Sequence, residues 1–288
     1  MKVLIIGKHG QLASALAKSA SEFPNLEIVS FDSRALNVLD NKQLAEVIEK
    51  ELPEAVINTS AYHVVPLCEE NPEKAFAVNA FAIKNLLNAV RKIKAVFVTF
   101  STDYVFDGQK KSPYLETDSP APLQIYGMSK YIGEQIALNY YDRSLVIRTN
   151  GVYGGKEGSA QKGGNFVLQI LKTAQTQNRI EVADNQIVSP TYASDLAMAT
   201  LALIEKKVPS GIYHLVNEGF CSWAQFAGEI INLAKLNVQI VGVDRSAETV
   251  SLKRPNFSAL SNTKAKLYGI ILPNWKEALR KYIDSISI

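Results

Sequence analysis

The chain has 288 residues, 47% of them apolar, and its 31 Lys and Arg against 28 Asp and Glu leave a net charge of only +3. That is enough apolar matter for one large core or two modest ones, and charges of both signs so interspersed leave no footprint for DNA, RNA or an anionic membrane. No run approaches the roughly 18 uncharged apolar residues of a membrane span. The apolar start at Val3 ends at Gly7, too short for the core of a signal peptide. Cys68 and Cys221 lack CxxC spacing and His9, His63 and His214 lack metal-ligand spacing, so the expectation is a cytoplasmic protein with reduced thiols and no metal site.

Val3-Leu4-Ile5-Ile6 reads as a strand covered on both faces, and it empties into Gly7-Lys8-His9-Gly10-Gln11-Leu12-Ala13. A helix is expected over Gln11 to Glu22. The glycines let the chain turn tightly and bring backbone N–H groups to a pyrophosphate at the helix N-terminus, with Ala13 small enough for close helix–strand packing. As a bare pattern this is common; between a strand and its helix it points to a dinucleotide. The second strand, Glu27 to Phe31, ends at Asp32, where an acidic side chain usually meets the adenosine ribose. Arg34 could bind a 2′-phosphate instead and Lys8 adds positive charge, so the cofactor expected is NADPH or NADH, with a slight tilt to NADPH. The candidate cofactor contacts are Gly7, Lys8, His9, Gly10, Gln11, Leu12, Asp32, Ser33, Arg34, Asn37, Val38, Ser60, Ala61 and Tyr62, joined by Tyr126 and Lys130.

Units of strand and helix then repeat. A helix over Leu44 to Leu52 precedes the strand Ala55-Val56-Ile57, whose small polar end, Asn58-Thr59-Ser60-Ala61-Tyr62, suits a loop bordering a cofactor. A long helix follows, Pro72 to Lys92, with Pro in its first turn. The strand Ala95 to Phe100 opens into Ser101-Thr102-Asp103-Tyr104-Val105-Phe106-Asp107-Gly108. The next helix, Gln124 to Tyr140, carries Tyr126 and Lys130 four apart on one face. A free tyrosine, with a pKa of about 10, is a poor acid or base at neutral pH, and a cation one turn away favours its phenolate. With the Thr102 hydroxyl to orient a carbonyl oxygen, the three form a candidate catalytic set for reducing a ketone or oxidising an alcohol.

After the strand Leu145-Val146-Ile147 the chain changes character. Gly154 to Gly158 and Gln161 to Gly164 are expected to form a flexible loop that closes over a ligand. Helices are expected over Asn165 to Thr176, Tyr192 to Glu205, Ser222 to Lys235 and Trp275 to Ile286, with strands at Gly211 to Val216 and Gln239 to Val243. Strands separated by helix-length segments imply an α/β fold with a doubly wound parallel sheet of the Rossmann type. Residues 1–150 form that dinucleotide-binding domain, with about 179–206 returning to it, and 151–288 form a smaller C-terminal substrate-binding domain.

These motifs give the chain a resemblance, over nearly its full length, to the extended short-chain dehydrogenase/reductases and within them to the dTDP-4-dehydrorhamnose reductases. It rests on Gly7-x-x-Gly10-Gln11-Leu12, on Ser101 to Gly108, on Tyr126-Gly127-x-Ser129-Lys130 with Gly133-Glu134, and on Arg148-Thr149 with Val152-Tyr153-Gly154. Further along it takes in Asn165-Phe166, Gln186 with Pro190-Thr191, Gly211-x-Tyr213-His214, Ser222-Trp223 and Arg254-Pro255-x-x-Ser258-x-Leu260.

The resemblance implies NADPH- or NADH-dependent reduction at C4 of a dTDP-4-keto-6-deoxy-L-sugar, giving dTDP-L-rhamnose. Tyr126 would give a proton to the emerging alkoxide, Lys130 would hold the nicotinamide ribose and depress the tyrosine pKa, and Thr102 would bond the same oxygen. Substrate contacts would come from Thr102, Asp103, Val105, Asn150, Asn165, Phe166, Gln186 and Arg254, the last as an anion clamp. The dTDP-sugar is the expected partner, and a homodimer stays open. Two departures bear on the sugar. Where the family usually has Thr-Ala-Val-Asp-Lys, this chain has His63-Val64-Val65-Pro66-Leu67, and where it has Ser-Trp there is Asn150-Gly151, so an aromatic wall against the hexose is expected to be missing. Another 4-ketosugar nucleotide or another C4 stereochemistry would fit. A 4,6-dehydratase would need a second carboxylate where Tyr104 stands, whereas a C4 epimerase or a non-catalytic NADP-binding regulatory subunit stays open as an alternative.

Overall fold

Alternation along the central strands sets the architecture. A computed structural model describes residues 1–155, 164–245 and 252–286. The first half runs β1 (Lys2–Ile6), α1 (Gln11–Ser19), β2 (Glu27–Phe31), α2 (Asn41–Glu51), β3 (Ala55–Asn58), α3 (Val65–Glu70), α4 (Pro72–Phe76), α5 (Ala82–Ile93), β4 (Val96–Thr102), α6 (Ile125–Tyr140) and β5 (Ser144–Thr149). The second adds β6 (Val152–Tyr153), α7 (Phe166–Ala174), β7 (Arg179–Ala183), β8 (Ile187–Val188), β9 (Thr191–Tyr192), α8 (Ala193–Glu205), β10 (Gly211–His214), β11 (Cys221–Ser222), α9 (Trp223–Leu233), β12 (Gln239–Val243), α10 (Thr263–Lys266) and α11 (Trp275–Ser285).

The large sheet has six parallel strands in the order β10-β5-β4-β3-β1-β2. Because successive side chains of a strand point to opposite faces, continuous apolar strands bury two layers at once. Val3 and Ile5 of β1 pack with Leu16 of α1 and with Leu196, Leu201 and Ile204 of α8. Leu4 and Ile6 turn the other way, into a cluster with Leu44 and Ile48 of α2, Leu86 and Val90 of α5 and Ala137 of α6. The fold is therefore the expected α/β doubly wound sheet, with α1 and α8 on one face and α2, α5 and α6 on the other.

Beyond β5 the chain builds a smaller layer. β7 and β12 pair in parallel, from Arg179↔Gln239 to Ala183↔Val243, under α7, α9 and α11, with Val167, Ile180, Phe226, Ile230 and Leu279 among its buried residues. Of the stretch 179–206, β7 thus lies in this layer while α8 lies on α1. The strand that rejoins the large sheet is β10, paired Gly211↔Leu145 to His214↔Arg148. The two parts are stitched by Tyr114, whose N–H donates to Ala259 O (2.8 Å) and whose carbonyl accepts from Ser261 N–H (2.9 Å).

Local chemistry explains most element ends. Asp40 caps α2 by accepting from the N–H groups of Lys42 and Gln43, and Ser222 with Gln225 forms a reciprocal capping box at α9. The long helix expected from Pro72 is interrupted by a π-helical stretch, Ala77–Phe81, between α4 and α5. A single π turn admits one extra residue and redirects the side chains around it, often beside a functional site. Of the glycine-rich loop after β5, residues 156–163 lie outside the described residues. No helix among the described residues is long and apolar enough to cross a membrane.

Candidate active site

The carboxyl ends of β1, β3 and β4, neighbours in the sheet, lie side by side, at the edge where parallel sheets place their ligands. At β1 the turn is tight: Gly7 has φ +105°, its N–H and that of Lys8 both donate to Phe31 O, and Gly10 N–H closes back on Gly7 O (2.9 Å). A Cβ at Gly7 would come 2.5 Å from Thr59 Oγ1, itself held by Ile6 O at 2.6 Å, so only glycine fits. Gly10 caps α1 without a side-chain hydrogen bond, which leaves the first-turn N–H groups for an anion. Gln11 and Leu12, half-buried, begin that helix. This glycine cradle, with its free helix donors, fits the diphosphate of a dinucleotide.

Around the end of β2, Asp32 Oδ1 accepts from the N–H groups of Arg34 and Ala35 (both 2.9 Å), and Oδ2 faces His9 Nε2 at 3.3 Å. These backbone bonds, Ala35 first, hold the carboxyl below its usual range. Lys8, Ser33, Arg34 and Asn37 are exposed around it. Val38 is different: at 8% exposure it packs in the core with Leu36 and Leu44, which leaves little of its side chain for a ligand.

The loop after β3 is tied to α6 by a residue that no motif marks. Asn79, in the π stretch and 2% exposed, accepts from Tyr62 N–H and donates to Tyr62 O, each at 2.9 Å. It also donates to Ser129 Oγ (3.0 Å), whose own hydroxyl donates to Tyr126 O (2.8 Å). Ser60 Oγ and N–H both turn to Asn58 Oδ1, and Ala61 is half-buried beside them. One asparagine thus fixes the expected cofactor loop against the expected catalytic helix.

At the end of β4 the structure brings Thr102, Asp103 and Tyr126 together. Thr102 Oγ1 donates to Asp103 Oδ1 (3.0 Å), accepts from Tyr104 N–H (3.2 Å), and lies near enough to the Tyr126 phenol to favour its ionised form. That influence is outweighed. Burial, reinforced by the Asp103 carboxylate, pushes Tyr126 well above the usual range of a phenol, and Lys130 is not among the groups that move it most. Desolvation of the phenol is thus the largest effect on Tyr126 in the chain by itself. Tyr126 is half-buried as a whole, with its hydroxyl end enclosed and the Tyr104 ring set edge-on at 6.2 Å. Lys130 is 6% exposed, and burial pulls its pKa down to about 8 against the pull of Glu134.

Asp103 is 4% exposed, and burial raises its pKa to about 7. The hydroxyls of Ser258 and Thr102 pull it back, but no bond of ordinary geometry closes on Oδ2. A carboxyl whose folded pKa lies above its unfolded value of 3.8 costs nothing when protonated in both states, and its penalty grows as pH rises from about 4 to about 7. Asp103→Asn is therefore expected to match the parent near pH 4 and to be more stable above pH 7, by up to about 4 kcal/mol. Thermal unfolding at several pH values checks this; a gain that shrinks as pH rises would contradict it.

The remaining expected contacts lie on the other wall. Asn150 Nδ2 donates to Ser258 O (3.1 Å), and Gly108 packs so closely on Pro255 and Asn256 that any Cβ would clash, which explains why the Arg254-Pro255 segment follows the loop after β4. Arg254 is exposed, and its charge reaches Tyr104. Val105 is fully enclosed with Phe106, Tyr114, Val216 and Leu260, so only its backbone can meet a ligand. Asn165 is used structurally: Nδ2 donates to Tyr282 Oη (2.8 Å) and Gly154 O (3.2 Å), and Oδ1 caps α7 at Leu168 N–H.

Trp223 stands beside Gly151, where the sequence offers no aromatic of its own. Its Cη2 would lie 3.1 Å from a Cβ at Gly151, its ring centroid is 4.6 Å from that of Phe166, and its backbone N–H donates to Gln186 O (3.3 Å). An indole from another element therefore fills the space beside Gly151, among Phe166 and Gln186. Nothing local to Asn150-Gly151 announces a neighbour 72 positions away in sequence.

A glycine cradle, an Asp at the next strand end and a Thr, Tyr and Lys at the carboxyl edge of a parallel sheet define a short-chain dehydrogenase/reductase. Comparison with known proteins narrows the class. The RmlD substrate binding domain family matches residues 1–288, and the chain belongs to that family. It is 35% identical to the spore coat polysaccharide biosynthesis protein SpsK of Bacillus subtilis (strain 168), over 99% of this chain and 98% of that one. It is 34% identical to the dTDP-4-dehydrorhamnose reductase of Burkholderia thailandensis, over 97% of each. The crystal structure of dTDP-4-dehydrorhamnose reductase from Bacillus anthracis str. Ames in complex with NADP superposes with a TM-score of 0.92, at 32% identity over 99% of both chains.

Proposed function

We propose that the chain is an NAD(P)H-dependent reductase of the C4 ketone of a dTDP-4-keto-6-deoxy-L-sugar, converting dTDP-4-dehydrorhamnose to dTDP-L-rhamnose for cell-surface polysaccharide. The observation that carries this is Thr102, Asp103 and Tyr126 gathered at the end of β4 beside Lys130 and across from the glycine cradle, in a chain about one-third identical to named reductases over its whole length.

The dinucleotide, when bound, supplies the hydride for C4. The chain's own groups do the rest. The first-turn N–H groups of α1 and the Gly7 turn hold the diphosphate, and the Asp32 and Arg34 region takes the adenosine end. Tyr126, kept protonated by its raised pKa, is a donor throughout the neutral range, and its proton passes to the C4 oxygen as negative charge develops there. Thr102 Oγ1 orients that oxygen, and Lys130, cationic below about pH 8, holds the nicotinamide ribose and then stabilises the phenolate. Arg254, at the mouth beside Tyr104, takes the nucleotide diphosphate, and Asn150, Phe166, Gln186 and Trp223 surround the sugar nucleotide. The reaction suits the cytoplasm, where nucleotide sugars are made.

A different 4-ketosugar nucleotide is the second reading, favoured by the helix α3 built on Val65-Pro66-Leu67. The test is consumption of NADPH or NADH by the purified chain with dTDP-4-dehydrorhamnose. Oxidation dependent on the ketosugar supports the first reading, and oxidation only with another 4-ketosugar nucleotide supports the second. Turnover without net oxidation, with a dinucleotide that survives dialysis, would identify a C4 epimerase. A chain that binds dinucleotide but consumes none would serve as a regulatory subunit.

A further inference from the structure

Tyr126, Lys130 and Glu134 follow one another at four-residue steps along α6, so each is the helical neighbour of the next. An ammonium and a carboxylate so spaced on a buried face should close on each other, since low dielectric strengthens their attraction. They do not. Glu134 gives both oxygens to Arg148, Oε1 accepting from Nε at 2.9 Å and Oε2 from Nη2 at 2.7 Å, with both side chains 1% exposed. Lys130 has no hydrogen-bond or ion-pair partner among the described residues, yet its Nζ is not among the buried polar atoms sealed off from solvent.

In the sheet Arg148 of β5 is the register partner of Ser101 of β4 and His214 of β10, and the Phe106 ring lies 5.0 Å from its Cζ. Glu134 takes Nε and Nη2, and Nη1 is buried with no hydrogen-bond partner. His214 is fully buried with Nδ1 3.2 Å from Tyr114 O, and burial with the Arg148 charge holds it neutral, at a pKa of about 3, so it does not compete for Glu134. A buried bidentate pair is a costly way to fill a core, because apolar residues of the same volume serve stability as well or better. What the apolar alternative cannot do is restrain a carboxylate one turn from Lys130 while leaving its field in place.

We propose that Arg148 is a positioning residue for Lys130: by taking both oxygens of Glu134 it denies the ammonium its nearest carboxylate and leaves it free for the ribose hydroxyls of a dinucleotide. Glu134, so held, still favours the charged ammonium from a distance, opposing the desolvation of Lys130. The inference rests on the reading that Lys130 faces a dinucleotide. It is tested by binding alone, without sugar, so the failure of the ketosugar reaction would leave the test intact.

The experiment titrates the full chain with NADPH and NADH and follows unfolding temperature alongside. Arg148→Met leaves Glu134 free to seize Lys130 and is expected to weaken dinucleotide binding by about tenfold or more. Glu134→Gln leaves Lys130 unpaired and should weaken it by less than about threefold. The double variant should return to within about threefold of Glu134→Gln, because the competing carboxylate is gone. If Arg148→Met does not fold, Arg148→Lys, which keeps the charge but not the two-point grip, should give a partial loss. Equal losses in Kd for the two single variants, or lowered unfolding temperatures with Kd unchanged throughout, would overturn the proposal and leave the pair a purely structural one.

Discussion

Tyr126→Phe is expected to lower kcat by about a thousandfold or more while changing dinucleotide Kd by less than about threefold. The substitution removes one oxygen and leaves the ring, which packs edge-on against Tyr104 at 6.2 Å, so the crevice should keep its shape. What is lost is the group that Thr102 addresses and that burial keeps protonated. No neighbour replaces it well. Tyr104, with its pKa pushed to about 12, is a second phenol, and Asp103 is already bonded to Thr102. Steady-state kinetics with a parallel binding titration checks the split. Retention of more than a few percent of kcat would remove Tyr126 from its assigned role, and a collapse of Kd would mean that it holds cofactor rather than a proton.

The second large effect is expected at Gly127. A Cβ there would stand 2.2 Å from Tyr104 O and 2.9 Å from Gln124 Oε1, the oxygen that caps α6 by accepting from Gly127 N–H. The obstacle at 2.2 Å is backbone, so no rotamer change relieves it, and either α6 or the loop after β4 must move. Gly127→Ala is therefore expected to cost about 2 kcal/mol or more and to lower the unfolding temperature by about 5 °C or more. Because Tyr126 is the adjacent residue, kcat should fall too, by about tenfold or more. Gly228→Ala is the control: nothing lies within 4 Å of its Cβ position inside α9, so alanine there should be neutral or stabilising. Similar losses at both sites would show that the tight approach to Tyr104 is not what demands glycine at 127.

Periodicity made the strands legible because a buried parallel strand is a run of apolar residues and little else. Lys2–Ile6 and Ala55–Asn58 fall on the apolar runs Val3-Leu4-Ile5-Ile6 and Ala55-Val56-Ile57. Which sheet a strand joins is another matter. Arg179–Ala183 and Gly211–His214 are both short strands, yet one pairs with Gln239–Val243 and the other with Ser144–Thr149, partners about 60 residues or more away. Local patterns carry no record of such pairings.

The site was read from motifs, and its electrostatics were not readable that way. Spacing places Lys130 one turn from Tyr126, but it says nothing of the burial that raises the phenol and lowers the amine. Asn79 is one of several asparagines in its helical segment, and only the π stretch sets it between Tyr62 and Ser129. Arg148, an arginine at a strand end, gave no sign that it would be 1% exposed and locked to Glu134. Trp223 filled the place at Gly151 from a distant element. Each of these depends on what lies across the crevice, and a one-dimensional pattern records only what lies along the chain.

The most direct measurement of the central claim follows the hydride. Cofactor carrying deuterium at the transferable position of its nicotinamide is mixed with enzymatically made dTDP-4-dehydrorhamnose and the chain, and the sugar is examined by NMR. The account predicts one deuterium at C4 of a 4-hydroxy product formed in step with cofactor oxidation, and the same outcome lost in Tyr126→Phe. Deuterium that stays on the cofactor while the ketosugar is unchanged, or a product labelled anywhere but C4, would contradict it.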